Sequence, residues 1–249
     1  MRASIDVCGC FPTGKHYPGI ADRMARLVTK VRGMAEGFEP TVMWASASFV
    51  VLDFETTGLD PERDRVVEIG LACFRDGVLE LSKDWLVNPG IPISEESKEI
   101  TGISDEMVAD KPPFGEVWPE VASFLHGRIP VAYNHAFDSK FLWAECRRIG
   151  LPPRGAELPP ACSDEGIWID PLVWAREIQK EEKGHKLGDV CARLGVPLDT
   201  AHRASFDAEA AGRVLLALAD KMPERYGDLL RVQTRYAATQ DVEITWRRR

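Results

Sequence analysis

Apolar and polar positions change period along the chain. Met24, Leu27, Val28, Val31 and Met34 recur at helical spacing and predict an amphipathic helix of about four turns. From Phe49 the pattern becomes one of strands and helices. Phe49-Val50-Val51-Leu52 is a short continuous apolar run, the mark of a strand covered on both faces. Arg65 to Phe74 and Val78 to Val87 predict two more strands, joined across Arg75-Asp76-Gly77, where Asp-Gly favours a hairpin. The proline-interrupted stretch from Asn88 to Pro113 predicts loops around a short helix starting at Ser94. A helix over Phe114 to Leu125 leads to a buried strand, Ile129 to Tyr133, and a further helix runs from about Asp138 to Ile149. Ile167 to Ile169 predicts a short strand, after which Pro171 opens a helix at its first turn. Lys186 to Leu194 and Ser205 to Asp220 complete the helices, the latter turning Ala208, Ala211, Leu215 and Leu218 inward. This order implies a mixed α/β sheet covered by helices.

The patterning divides the chain into an N-terminal extension (1–46), a main domain (47–220) and a C-terminal tail (221–249). The helix in the extension either packs on the main domain or docks a partner, and the residues leave both open. Its Cys8, Cys10 and His16 do not make a structural zinc site, because the cysteines are one residue apart and a fourth ligand is missing. Arg247-Arg248-Arg249 reads as a solvated end of the chain.

Composition narrows the class. The chain has 249 residues, 45% hydrophobic and 28% charged, ordinary values for a globular protein. The longest apolar stretch near the C-terminus, Val214 to Ala219, is far short of the roughly 18 residues of a membrane span. Arg2, Asp6 and Lys15 interrupt the first residues, which do not form a secretory signal. Six cysteines, mostly isolated in apolar segments, point to a reduced, cytoplasmic protein. A net charge of -8 argues against coating long nucleic acid by counterion release. It is compatible with an enzyme that grips a phosphate through metal ions, since the metal-binding carboxylates themselves add negative charge.

Three short segments carry candidate chemistry. Asp-x-Glu occurs four times in the chain, against about 1.5 expected by chance, so context must choose among the copies. Asp53 and Glu55 follow directly on the buried strand, and two residues apart on a continuing strand they project from one face. Like charges held side by side at a core cost energy unless a cation compensates them. Thr56-Thr57-Gly58 then turns the chain and is expected to leave backbone N–H groups free for a ligand. Asn134-His135-Ala136-Phe137-Asp138 ends a strand and opens a helix, with Asn134 as a cap. Asp138 is either a group favoured by the helix dipole or a functional carboxylate. In His202-Arg-Ala-Ser-Phe-Asp207, the histidine and aspartate converge only if His202 precedes the helix and Asp207 lies within it, as Ser205 in the cap position allows.

Taken in order, D53FETTG58, N134HAFDSKFL142 and H202RASFD207 resemble the three motifs of the DEDDh family of 3′→5′ exonucleases. The likeness extends to Asn88 through Met107, to Asp170-Pro-Leu and to His185 through Gly195, and covers about 70% of the chain. Position 203 is Arg, where the related branch carries tyrosine, so the histidine branch fits. The resemblance implies an RNase H-like fold, a mixed five-stranded sheet flanked by helices. It makes Asp53, Glu55, Asp138 and Asp207 metal-binding carboxylates and His202 the general base. Thr56, Thr57, Ile103, Asn134 and Phe137 would meet the 3′-terminal nucleotide. Two Mg2+ ions, replaceable by Mn2+, suit such an oxygen-rich site. A histidine with a pKa near its usual ~6.5 is largely neutral at pH 7, as a base requires. The expected partner is the 3′ end of single-stranded DNA, with proofreading or repair as setting and nucleoside monophosphates as products. Nothing in the motifs reads a 2′-hydroxyl, so an RNA-trimming enzyme of the same family is the alternative. A binding subunit that docks a polymerase through residues 1–46 is the reading from another class. His135 lies inside the second motif but not at a catalytic position, His126 and His185 read as capping or surface groups, and tryptophans 85, 118, 143, 168 and 174 read as core or groove walls.

Overall fold

The computed structural model describes residues 31–152, 158–163, 165–198 and 203–247, with side chains described through residue 241. Four strands, β1 (Phe49–Thr56), β2 (Val66–Arg75), β3 (Val78–Leu86) and β4 (Ile129–Val131), form one sheet in the order β3-β2-β1-β4. β1 runs antiparallel to β2 and parallel to β4. Among the described residues the helices are α1 (Glu95–Thr101), α2 (Asp105–Val108), α3 (Phe114–Leu125), α4 (His135–Arg148), α5 (Pro171–Ile178), α6 (Leu187–Leu194), α7 (Ala204–Ala217) and α8 (Tyr226–Arg247). None of the described helices is long and apolar enough to cross a membrane.

The period-two alternation of the sheet sorts its side chains into two cores. Phe49 and Val51 of β1, with Ala72 and Phe74 of β2, pack with Ala208, Ala211, Val214 and Leu215 of α7 and with Leu229 and Leu230 of α8. Val50, Leu52 and Phe54 face the other way, onto Trp118 and Val121 of α3 and Phe141 and Leu142 of α4. Both faces are covered, which is why β1 and β2 read as continuous apolar runs. The hairpin between β2 and β3 turns on Asp76 and Gly77, both at positive φ (51° and 72°), the backbone that Asp-Gly accommodates.

The fifth expected strand, Ile167 to Ile169, reduces to one parallel bridge between Val131 and Ile169. Ile169 donates its N–H to Pro130 and accepts from Ala132. The ladder cannot lengthen in either direction: the Ile167 N–H is taken by the Gly33 carbonyl at 2.8 Å, and Pro171 has no N–H to give. Among the described residues the sheet therefore has four strands.

The expected helix from Met24 to Met34 begins outside the described residues, and its last part is not helical. Residues 31–48 run as turns, with Gly33 at φ 83° and Gly37 at φ 87°, a conformation no helix interior tolerates. Val31, Met34 and Phe38 instead pack on the core beside α7 and α8, and Trp44, 1% exposed, donates its ring N–H to Pro223. After Asp220, α8 buries Tyr226, Leu229, Leu230 and Gln233. The Gln233 amide accepts from the Asp170 N–H and donates to the Trp168 carbonyl, which fastens this C-terminal segment to the strand bridge.

Candidate active site

Asp53 and Glu55 occupy the last turnless stretch of β1, on the face that α7 covers. β4 pairs β1 only as far as Val51, so the end of β1 stands beyond its parallel neighbour. Asp207 lies in the first turn of α7. The helix brings it over the strand, and one carboxylate oxygen from each of Asp53, Glu55 and Asp207 lies within 4.8 Å of the others. Asp138 comes from α4, on the opposite face of the sheet. Its Oδ1 accepts the Phe54 N–H at 3.0 Å, in the place a longer β4 would have supplied a carbonyl. It is 2% exposed and stands outside the group of three.

Crowding and burial act on these groups together. Burial pushes the Asp53 carboxyl well above the usual carboxylate range, and the charges of Asp138, Glu55, Asp207 and Glu68 push it further. Glu55 is pushed up to about 7, by burial first and then by Asp207 and Glu68. Asp138 is also raised by burial, against the opposing pull of the Phe54 N–H. Three convergent carboxylate oxygens, with the negative charge of Asp53 and Glu55 disfavoured in this way, make a donor set that a hard divalent cation fits.

The residues expected at the substrate fall into different environments. Thr56 and Thr57 are buried, and their hydroxyls are engaged: Thr56 donates to the Gly58 carbonyl and Thr57 to Asp64. The Thr57 N–H is not free, contrary to expectation, because it donates to the Arg65 carbonyl at 2.9 Å. Ile103 is 1% exposed in a small core with Val67, Ile93 and Val108. Asn134 is the N-terminal cap residue of α4 in a left-handed conformation, but its side chain makes no capping hydrogen bond. Asn134 and Phe137, with Leu59, Pro61, Lys140 and Phe141, line a cleft of about 270 Å³. His202 lies outside the described residues. The cap of α7 lies two residues earlier than expected, at Arg203, so Ser205 lies inside the helix and donates to Asp84 rather than capping. His126 is the C-terminal cap residue of α3, and Trp118, Trp168 and Trp174 are core.

Three buried carboxylates that the motifs do not mark hold this arrangement. Asp170 accepts the N–H groups of Asn134 (3.0 Å), His135 (3.1 Å) and Leu172 (2.8 Å), and lies 3.0 Å from the His135 ring. It thus caps α5 and ties down the start of α4. Glu145 of α4 takes Arg65 side-on, at 2.8 and 3.0 Å, and Arg148 at 3.0 Å. Glu68 of β2 accepts from Arg203 and from the Ala204 N–H. The available signal was one charge in the otherwise apolar run Val66 to Phe74: a fully buried Glu is nearly always paired.

A mixed sheet covered on both faces, with convergent carboxylates at the end of strand β1, is the RNase H-like architecture seen in exonucleases. The family described as exonuclease matches residues 50–215. The PolC-type DNA polymerase III of Thermotoga petrophila is 36% identical over 199 residues, covering 80% of this chain and 14% of the polymerase. That of Streptococcus thermophilus is 35% identical over 181 residues, covering 73% and 12%. The chain thus spans about a seventh or less of the length of these relatives. Exonuclease X in complex with 5′ overhanging duplex DNA superimposes with a TM-score of 0.56 at 25% identity, over 74% of this chain and 99% of that one. The nuclease domain of 3′hExo, a DEDDh family member bound to rAMP, shares the fold with a TM-score of 0.59 at 20% identity, over 72% and 95%. The chain belongs to the DEDDh family of 3′→5′ exonucleases.

Proposed function

We propose that this domain removes nucleoside 5′-monophosphates from the 3′ end of DNA, with Mg2+ held by Asp53, Glu55 and Asp207 and assisted by Asp138. The observation that carries the reading is the convergence of three carboxylate oxygens within 4.8 Å at the end of the central strand. A divalent cation bound there would polarise the phosphate and lower the pKa of a bound water. Asp138 keeps the strand between the two β1 carboxylates in place through the Phe54 N–H. His202, the residue before Arg203, is the general base by its match to the family motif, its neutral imidazole taking the proton of the attacking water. Phe137, in van der Waals reach of Phe141 in the open cleft, offers a face to the terminal base. DNA is favoured over RNA because the two relatives named above, at 36% and 35% identity, are DNA polymerases.

The test uses 5′-labelled single-stranded DNA and RNA of one sequence, incubated with Mg2+ or with EDTA. Mg2+-dependent shortening from the 3′ end, faster on DNA, supports the proposal. Faster shortening of RNA reassigns the substrate, and no shortening of either strand with Mg2+ or Mn2+ removes the catalytic reading.

A further inference from the structure

Glu68 stands directly opposite Glu55 in the β1–β2 register and is 0% exposed, yet it is not one of the three convergent carboxylates. Its oxygens are already committed. Oε1 accepts from Arg203 Nε at 3.0 Å and lies 2.9 Å from Arg203 Nη2, and Oε2 accepts the Ala204 N–H at 3.0 Å. Ala204 is the first residue of α7, and the first N–H groups of a helix have no partner within it. A carboxylate from β2 therefore does for α7 what its own cap residue does not, since the Arg203 side chain makes no capping bond. The same guanidinium reaches Asp84 of β3 at 3.4 Å, and Ser205 donates to Asp84 at 3.1 Å. Gly70 completes the seat. It lies opposite Asp53, and a Cβ there would collide with the Ala204 carbonyl. The start of α7 is thus pressed on β2 and tied to it, three residues before Asp207.

We propose that Glu68 is a positioning residue for cation binding: by holding Arg203 and the Ala204 N–H, it sets where Asp207 stands relative to Asp53 and Glu55. This rests on the reading that those three carboxylates hold the cation. A carboxylate is required because the position accepts from three N–H groups, and a Gln offers a single acceptor oxygen. The Arg203 pairing offsets the cost of burying the charge beside the others.

The measurement is Mn2+ binding to the metal-free 249-residue chain by titration calorimetry, without nucleic acid. Wild type, Glu68→Gln and Arg203→Lys are compared well below their melting temperatures, with folding checked by circular dichroism. Glu68→Gln is expected to bind about 10- to 100-fold more weakly, the range found for groups that orient metal ligands. Arg203→Lys, which keeps the charge but loses the fork, should weaken binding in the same direction. A purely structural role would lower the melting temperature and leave affinity unchanged, and wild-type affinity in folded Glu68→Gln overturns the proposal. Should Glu68→Gln not fold, wild-type affinity in Arg203→Lys overturns it instead. Absence of Mn2+ binding by the wild type overturns the cation reading, and this one with it.

Discussion

The carboxylate of Asp138 accepts the backbone N–H of Phe54 at 3.0 Å, across 84 residues of sequence. Phe54 lies between Asp53 and Glu55, and its side chain points into the core on the face of α4. One hydrogen bond therefore joins the helix on one face of the sheet to the strand whose acidic residues project from the other. Asp138 has a backbone duty before it has any duty toward a ligand.

That duty separates two substitutions that would otherwise look alike. Asp138→Asn keeps an oxygen for the Phe54 N–H and removes a charge that burial already disfavours. Its melting temperature should match or exceed that of the wild type, while kcat with Mg2+ falls by more than about 100-fold. Asp138→Ala leaves a buried N–H unpaired, at a cost of about 1–3 kcal/mol. Urea denaturation and initial-rate assays on the pair check both expectations. Equal stability of the two variants would show that the Phe54 hydrogen bond contributes nothing.

The raised carboxyls also give the metal-free protein a pH dependence of definite sign. Glu55 titrates near 7 in the folded chain and near 4.5 when unfolded, so the folded state binds the proton more tightly. Stability from this group is fully present below about pH 4.5 and is lost as pH rises through about 7. Asp53 and Asp138, also raised, act in the same direction. A bound cation competes with these protons. The gain in melting temperature on adding Mg2+ in place of EDTA should therefore grow between about pH 5 and pH 8. A gain independent of pH would contradict the assignment of the cation to these carboxylates.

Much of this was legible in the sequence, for reasons that differ by element. Helix α3 matches its expected span, Phe114 to Leu125, because its apolar spacing is unbroken and Pro113 and His126 bound it. The hairpin at Asp76-Gly77 follows from local chemistry. Asp53 and Glu55 share a face because a strand has period two. The failures came from long-range competition for hydrogen bonds. Ile167 to Ile169 carries a strand pattern, but Gly33 takes one N–H and Pro171 lacks the next. Val31 and Met34 fit a helical period, but Gly33 takes a positive φ and both side chains pack on the core from turns. Ser205 has the composition of a cap, yet Glu68 caps the helix from another strand, which no local window contains.

Arg65 and Glu145 offer a contrast in which stability should respond more than chemistry. Glu145 is 1% exposed and takes Arg65 side-on, with Arg148 on the same oxygen. Arg148 also donates to the Pro61 carbonyl, so the pair fastens the turn after β1 to α4. Arg65→Ala leaves a buried carboxylate short of its best partner and should cost about 3 kcal/mol in chemical denaturation. Arg75→Ala, at an exposed pair with Glu80, should cost less than about 1 kcal/mol. Similar losses for the two would contradict the burial of Glu145.

Gly70→Ala tests the seat of α7 without touching any charged group. Gly70 has ordinary strand backbone, so alanine suits the local conformation. The obstacle is the Ala204 carbonyl, a backbone atom that yields only if the start of the helix moves. Overpacking of this kind costs about 1–3 kcal/mol. Because Ala204 precedes Asp207 by less than one turn, the shift should also weaken Mn2+ binding and lower kcat. Ala210→Gly, buried on the same helix and well past its first turn, would cost stability of about 1 kcal/mol from propensity alone and leave Mn2+ affinity unchanged. Titration calorimetry on the two variants, beside their melting temperatures, separates loss of helix stability from displacement of Asp207. Unchanged Mn2+ affinity in Gly70→Ala would show that Asp207 holds its place independently of the contact between β2 and α7.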